Sequence, residues 1–436
     1  MLSEIVIKTY EDVLIEELQL AMGCTEPIAI AYGSAILGDA LGETPTEISV
    51  GLSGNIIKNV KSVIVPSSGG MHGIETAVAA GVIAGHPEKR LEVLSSLSSD
   101  AKERIIELQN SCKIVVNELK SPCTFDLYLK GKSKTRSASV RISGEHTNVV
   151  LVTADGVDLT ANYKQSGVIP SAVKTADRGL LTVEQIVEFA EKADISRLKP
   201  YIERQIQMNM AIAEEGIKNY YGAAIGRLIL ESCAASVLVK TKAKAYAAAG
   251  SDARMSGCDL PVCIISGSGN QGITASVPVV VYGNELNLSQ EEILRAVILS
   301  DLITVHLKTG IGCLSAYCGA ISAGCGAGAG ISFLNGGRYR EIAHTIVNAV
   351  AILSGTICDG AKPSCAAKIA MAVEAGVMGY EMTRTNRQFI SGDGIVTKGV
   401  ENTIKNVGEL AREGMQETDK KILSIMLGTQ KSDKNG

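Results

Sequence analysis

KIVVNELKSPCTFDLYLKGKSKTRSASVRISGEHTNVVLV, residues 113–152, decides the fold class. Four runs within it, 113–116, 125–129, 137–142 and 148–152, are β-branched or alternate apolar with polar residues, as strands do. Polar turns at Gly131-Lys132-Ser133 and Gly144-Glu145 separate them, so a small antiparallel sheet with helices on one face is expected. Upstream, Pro27 opens a helix over 28–41 that Gly42 closes, and 47–50 and 62–65 read as short strands. The Gly-rich loop PSSGGMHG (66–73) leads into an Ala-rich helix ending near Gly85. From Thr182 the texture changes to long helical patterns: 183–193, 198–218, much of 222–249, a helix after Ser289 and another over 340–353. Thr182 with Gln185, and Ser289 with Glu292, have capping-box spacing. The expected class is α+β: an N-terminal α/β sandwich-like domain over 1–175, then a mainly α-helical domain over 176–436. The weakly periodic segment 162–178 is the expected boundary.

The 436 residues carry 42 Lys plus Arg against 46 Asp plus Glu, a formal charge of −4. Such a balance offers no electrostatic footprint for nucleic acid or anionic lipid. The first 22 residues form an amphipathic helix pattern interrupted by charge, not a signal peptide, so a cytoplasmic, reducing location is expected. Between Lys308 and Arg338 no residue is charged. That run is too rich in Gly, Ser and Cys to read as a membrane span, and a buried, close-packed helix pair suits it better. No nucleic-acid or membrane partner is expected.

Eleven cysteines in a reducing compartment argue against structural disulfides and turn attention to metal binding and reactivity. Cys112, Cys123, Cys233, Cys263, Cys313 and Cys325 lie among small apolar residues and read as packing, whereas Cys258 sits in the polar island SDARMSGCD (251–259). Cys358 and Cys365 flank CDGAKPSC, where Asp359-Gly360 and Pro363 force a tight turn, so both thiols can face one centre. Cys318 lies in AYCGAISAG, whose small residues admit a bulky group. A three-thiolate metal site and plain packing both remain open on this pattern alone.

MGCTEPIAIA (22–31), SGNIIKNV (53–60), SGSGNQG (266–272), the Cys318 segment and ICDGAKPSC (357–365) together resemble the L-cysteine desulfidases of the iron–sulfur serine dehydratase superfamily. SGDG (391–394) and the tail GM…TD…IM (414–426) extend the resemblance over almost the whole chain. It implies a [4Fe–4S] cluster on Cys318, Cys358 and Cys365. The spacing between Cys318 and Cys325 is one residue shorter than in the dehydratases, so Cys325 competes for the first ligand position, and Cys318 is preferred. Three protein thiolates leave one iron open as a Lewis acid. The implied reaction is non-redox β-elimination of L-cysteine to pyruvate, ammonia and hydrogen sulfide; the alternative is L-serine dehydration at the same cluster.

Cys24 in GCTEP beside a helix start is the catalytic candidate, as base, transient ligand or sulfide acceptor. The helix N-terminus is expected to lower its pKa, with Thr25 or Glu26 as the cap. Ser53, Asn55, Lys58, Asn59, Ser268 and Asn270 are the candidates for holding the substrate amino acid. The loops 66–73 and 266–272 offer backbone N–H groups to an anion. His306 and Lys308 are further candidate bases. A pyridoxal-phosphate lyase lacks a recognisable Schiff-base lysine here, and a redox or metal sensor would want a partner surface. The small amino-acid substrate is the expected partner, with a homodimer left open.

Overall fold

The structure, a computed structural model, describes residues 2–61, 63–98, 100–121, 123, 125–163, 176–233, 237–312 and 315–427. Cys313, Ser62, most of the expected boundary segment and the polar tail lie outside these residues. The chain is mixed α+β, with a sheet in the N-terminal half and helices in the C-terminal part.

The first half runs α1 (Glu4–Glu17), β1 (Gln19–Met22), α2 (Thr25–Leu41), β2 (Glu47–Leu52), α3 (Gly54–Val60), α4 (Ile74–Ala84) and α5 (Ala101–Ser111). It continues through β3 (Lys113–Glu118), β4 (Asp126–Lys132), β5 (Ser137–Ser143), β6 (Val149–Ala154), β7 (Val157–Asp158) and α6 (Thr160–Tyr163). The sheet has the order β3-β2-β4-β5-β6-β7. It is antiparallel except for β2 and β3, which pair in parallel from Glu47↔Lys113 to Leu52↔Glu118. A parallel pair needs a long crossover, and α3 to α5 supply it. The expected strand at 62–65 is reduced to an isolated bridge between Ile64 and His72. Alternation along β5 buries Ala138, Val140 and Ile142, and α2 packs on that face against β4, β5 and β6.

The second half runs α7 (Val183–Lys192), α8 (Lys199–Lys218), α9 (Ile225–Glu231), α10 (Val239–Met255), β8 (Pro261–Ile264), α11 (Gly269–Glu285) and α12 (Gln290–Ile311). It ends with α13 (Ala320–Leu334), α14 (Tyr339–Ile352), α15 (Cys365–Arg384), α16 (Val400–Glu409) and α17 (Gln416–Leu427). The expected helix over 222–249 is broken into α9 and α10, because the chain reverses to lay Gly226 against Ala245 and Ala249. The uncharged run forms α13, buried from Ala320 to Ser332 and packed on α11, α12, α14 and α15. Its glycines permit the crossing with α15: a Cβ on Gly376 would lie 2.1 Å from the Gly324 carbonyl oxygen. Among the described residues no helix is long and apolar enough to cross a membrane. The Ser289–Glu292 capping box forms as expected. The two halves are stitched together by β1, which pairs antiparallel with β8 more than 200 residues later, from Gln19↔Ile264 to Met22↔Pro261.

One buried polar pair in the helical part has a consequence for stability. Gln205 Nε2 donates to Asp301 Oδ1 at 3.0 Å. Gln205 Oε1 and Asp301 Oδ2 are buried without a partner. Burial pushes the Asp301 carboxyl up to about 8. Cys263 on β8 feels the charge of Asp301. The unfolded carboxyl titrates near ~3.9, so between about pH 4 and 8 the folded state holds a proton that the unfolded state has lost. Stability from this group is complete below that window and falls as pH rises through it. Asp301→Asn keeps the acceptor for Gln205 Nε2 and removes the titrating group. In denaturant titrations its stability relative to the wild type should climb from pH 5 to pH 8. A difference that stays constant with pH would mean that Asp301 is ionised in the fold.

Candidate active site

Helix starts converge on one cavity of about 150 Å³. Thr25 and Glu26 enter it from the N-terminus of α2, Asn270 and Gln271 from that of α11, Ala320 from that of α13 and Cys365 from that of α15. Each terminus presents unsatisfied N–H groups and a partial positive charge, so the cavity favours anions before any side chain is counted. Lys58, Lys308 and Arg254 also line it.

The three thiols come together through a short backbone bridge. Tyr317 and Ile357 form an antiparallel β-bridge, the Cys318 N–H donates to the Thr356 carbonyl at 2.9 Å, and the Cys358 N–H donates to the Ala316 carbonyl at 2.6 Å. Cys318 and Cys358 are thereby placed side by side with their thiols hydrogen-bonded to each other. That bond lowers the Cys358 thiol below its ordinary range against the effect of burial, with Lys58, the Gly360 N–H and Lys308 acting in the same direction. The partner thiol, Cys318, is raised by the same bond and by burial. Cys365 opens α15 at the cavity edge, its Sγ 3.7 Å from the Gly360 carbonyl. Cys325 lies on buried α13 and is not in the cavity wall; burial alone pushes its thiol up to about 12. Burial also raises Cys112 to about 11 and Cys263 to about 12, as expected of thiols that only pack.

Among the described residues no group of three or more His, Cys, Asp or Glu side chains is close enough to hold a single metal ion. A cubane cluster makes a different demand, since each thiolate takes its own iron. Three soft donors with no carboxylate among them, spread around one cavity wall, match that donor set and not a hard-cation site.

Cys24 stands in the same wall and is 2% exposed. It occupies the N-cap position of α2 itself, without a side-chain capping bond. Thr25, expected to cap, instead donates its hydroxyl to the Gly267 carbonyl and to Glu26 Oε2, both at 3.1 Å. The expected acidic Cys24 is not found. Burial and the neighbouring Glu26 carboxylate raise the thiol well above its ordinary value, overcoming the opposing pull of Arg254. Its Sγ donates to Glu26 Oε2 at 2.9 Å. Burial would raise Glu26 too, but the charge of His146, the Cys24 bond, its own backbone N–H and Arg254 hold it below the usual carboxylate range. Asn59 Nδ2 fixes the other oxygen, Oε1, at 2.8 Å. The resting pair is therefore a thiol and a carboxylate.

Of the residues expected to hold substrate, Lys58, Asn59, Ser268 and Asn270 line the cavity. Lys58 is 3% exposed and ion-paired with Asp419 of α17. Ser53 and Asn55 are not in the wall. Ser53 caps the start of α3 and exchanges bonds with Asp126, its N–H donating to the Asp126 carbonyl at 2.9 Å and its Oγ accepting from the Asp126 N–H at 3.3 Å. Asn55 follows it on the first turn, its Oδ1 buried without a partner. His306 is bound to Glu401, 2.7 Å away, and is likewise absent from the wall. The Gly-rich loop 66–73 also stays outside it. Sequence alone passed over Glu26, His146, Gln271 and Tyr317 as site residues and gave Arg254 no role. His146 lay in what reads as a turn; Arg254 was visible as the one basic residue of a polar island in an Ala-rich helix.

A family model described as serine dehydratase alpha chain matches residues 88–424. The chain belongs to that family. It is 51% identical over 420 residues to a UPF0597 protein of Desulfitobacterium hafniense, 96% of each chain being covered. It is 45% identical to one of Lachnoclostridium phytofermentans, over 95% of this chain and 98% of that one. It is 43% identical to one of Finegoldia magna, over 97% and 100%. Membership of the family supports a lyase of the dehydratase kind.

The loop that brings Cys358 to the cavity depends on a glycine. Gly360 has φ +99°, and a Cβ there would lie 2.3 Å from the Lys58 carbonyl oxygen. Gly360→Ala should cost roughly 1–3 kcal/mol of stability from backbone strain, read as a lower thermal midpoint, and should weaken metal binding by the thiols. Unchanged stability would show that the loop relaxes without its contact to α3.

Proposed function

We propose that this protein carries out non-redox β-elimination from a small β-substituted amino acid, with L-cysteine as substrate and a [4Fe–4S] cluster on Cys318, Cys358 and Cys365. The overall change is L-cysteine plus water to pyruvate, ammonia and hydrogen sulfide, a carbon–sulfur lyase reaction. The observation that carries it is the meeting of those three thiols with Cys24 in one cation-lined cavity. When bound, the cluster supplies an open iron as Lewis acid for the leaving sulfur. The chain's own residues do the rest. Lys58 and Lys308 offset negative charge beside Cys358. Asn270, Ser268 and the N-terminus of α11 offer donors to the amino acid.

Cys24 and Glu26 form the proton-handling pair. With one proton shared over 2.9 Å, a thiolate at Cys24 needs only a shift of that proton to a carboxylate already fixed by Asn59 and Thr25. Whichever member of the pair is unprotonated is then in place to accept the α-proton once substrate occupies the cavity. A soluble, cytoplasmic setting suits an oxygen-sensitive cluster.

Membership of the serine dehydratase alpha chain family favours a second reading, an L-serine dehydratase (L-serine ammonia-lyase) with hydroxide as the leaving group. Anaerobically purified protein tested on both substrates separates them. Sulfide release from L-cysteine well above pyruvate formation from L-serine supports the desulfidase, and the reverse ratio supports the dehydratase. About four irons per chain are expected, and active protein without iron would overturn both. Cys24→Ser should retain that iron while losing turnover by roughly 100-fold or more, as for a lost acid–base group. Wild-type rates in that variant would remove Cys24 from the chemistry.

A further inference from the structure

Arg254 is buried, 2% exposed, at the end of α10, yet its guanidinium lines the cavity. Among the described residues its one side-chain hydrogen bond is from Nη1 to Asn270 Oδ1, at 3.1 Å, and Nε is a buried donor without a partner. Among the described residues no carboxylate lies within ion-pair distance of it, and Glu26 acts on it only through space. A buried charge left this way is costly unless something completes it.

Its position sharpens the point. The guanidinium packs against Gly269, the first residue of α11: a Cβ there would sit 2.4 Å from Nε and 2.9 Å from Cζ. A cation beside a helix N-terminus meets charge of its own sign. The arrangement makes sense once an anion sits beside both in the cavity, taking the planar fork of the guanidinium together with backbone N–H groups of α11. In a cavity also lined by Cys318, Cys358 and Cys365, that anion is the carboxylate of the substrate.

We propose that Arg254 is the carboxylate anchor of the amino-acid substrate, with Gly269 conserving the space for its guanidinium and Asn270 fixing its orientation. The assignment rests on the elimination reading above and deepens it. Among the donors expected from sequence it leaves Lys58, already paired with Asp419, beside the thiols instead of at the carboxylate.

The test uses anaerobically purified protein and two small thiols that share part of cysteine. 3-Mercaptopropionate has the carboxylate and no amine; cysteamine has the amine and no carboxylate. In calorimetric titrations Arg254→Gln should weaken 3-mercaptopropionate about 100-fold, the scale for removing one member of a buried charge pair, and leave cysteamine unchanged. Arg254→Lys, with charge but no fork, should fall between. With L-cysteine the glutamine variant should show its loss mainly in KM. Equal weakening of both probes, or none for 3-mercaptopropionate, overturns the assignment. Cysteamine binding also reports that the variant is folded. Wild-type protein that turns over neither amino acid, yet binds 3-mercaptopropionate through Arg254, would sink the elimination and leave the carboxylate site standing.

Discussion

Everything at the cavity hangs on one buried carboxylate. Glu26, 8% exposed, takes bonds from Cys24 and Thr25 on its own helix and from Asn59 on α3. Thr25 carries the link on to the Gly267 carbonyl, so the α2 start, the α3 end and the 266–268 loop are bound to a single group. The loop is held from its far side as well. Ser266, with φ +49°, donates its N–H to Glu17 at 3.0 Å, and Glu17 is clamped by Arg178. A left-handed serine persists only where its surroundings fix it, and here Glu17 holds its N–H while the Thr25 hydroxyl holds the next carbonyl.

Much of this was visible in the chain before it was folded. The strands between 113 and 152 follow the alternation of their residues, since one face is buried against α2. The motif residues Cys24, Lys58, Asn59, Ser268, Asn270, Cys318, Cys358 and Cys365 share one cavity. What local pattern does not encode is contact between distant segments. The pairing of β1 with β8, the parallel register of β2 with β3 and the break between α9 and α10 are set by tertiary packing. Ser53 and Asn55 illustrate the same limit. They sit in the right motif, but the helix they begin carries only its last turn, Lys58 and Asn59, into the site.

The Cys24 pKa shows how a local rule is overruled. A helix N-terminus does favour a thiolate, and α2 provides one. Within the same turn, however, the chain places a carboxylate 2.9 Å from the sulfur and shuts both away from water. Desolvation and like-charge repulsion then outweigh the dipole, because two anions cannot share one dry contact. The helix terminus stabilises the carboxylate instead, and the proton stays on sulfur. A residue pair of this kind stores a proton in place, so a change in charge at the cavity decides which member holds it.

That coupling explains why the cavity is so heavily cationic. Four helix N-termini and the side chains of Lys58, Lys308 and Arg254 face a space bordered by four cysteines and Glu26. Thiolates and a carboxylate-bearing substrate would together bring several negative charges into a volume with little water, at a prohibitive cost without compensation. The cations are distributed by task. Lys58 and Lys308 lie where they act on Cys358, whereas Arg254 lies against the start of α11, away from any ion pair of its own. A cavity built only to bind metal through thiolates has no need of that third cation; one that must also seat a carboxylate does.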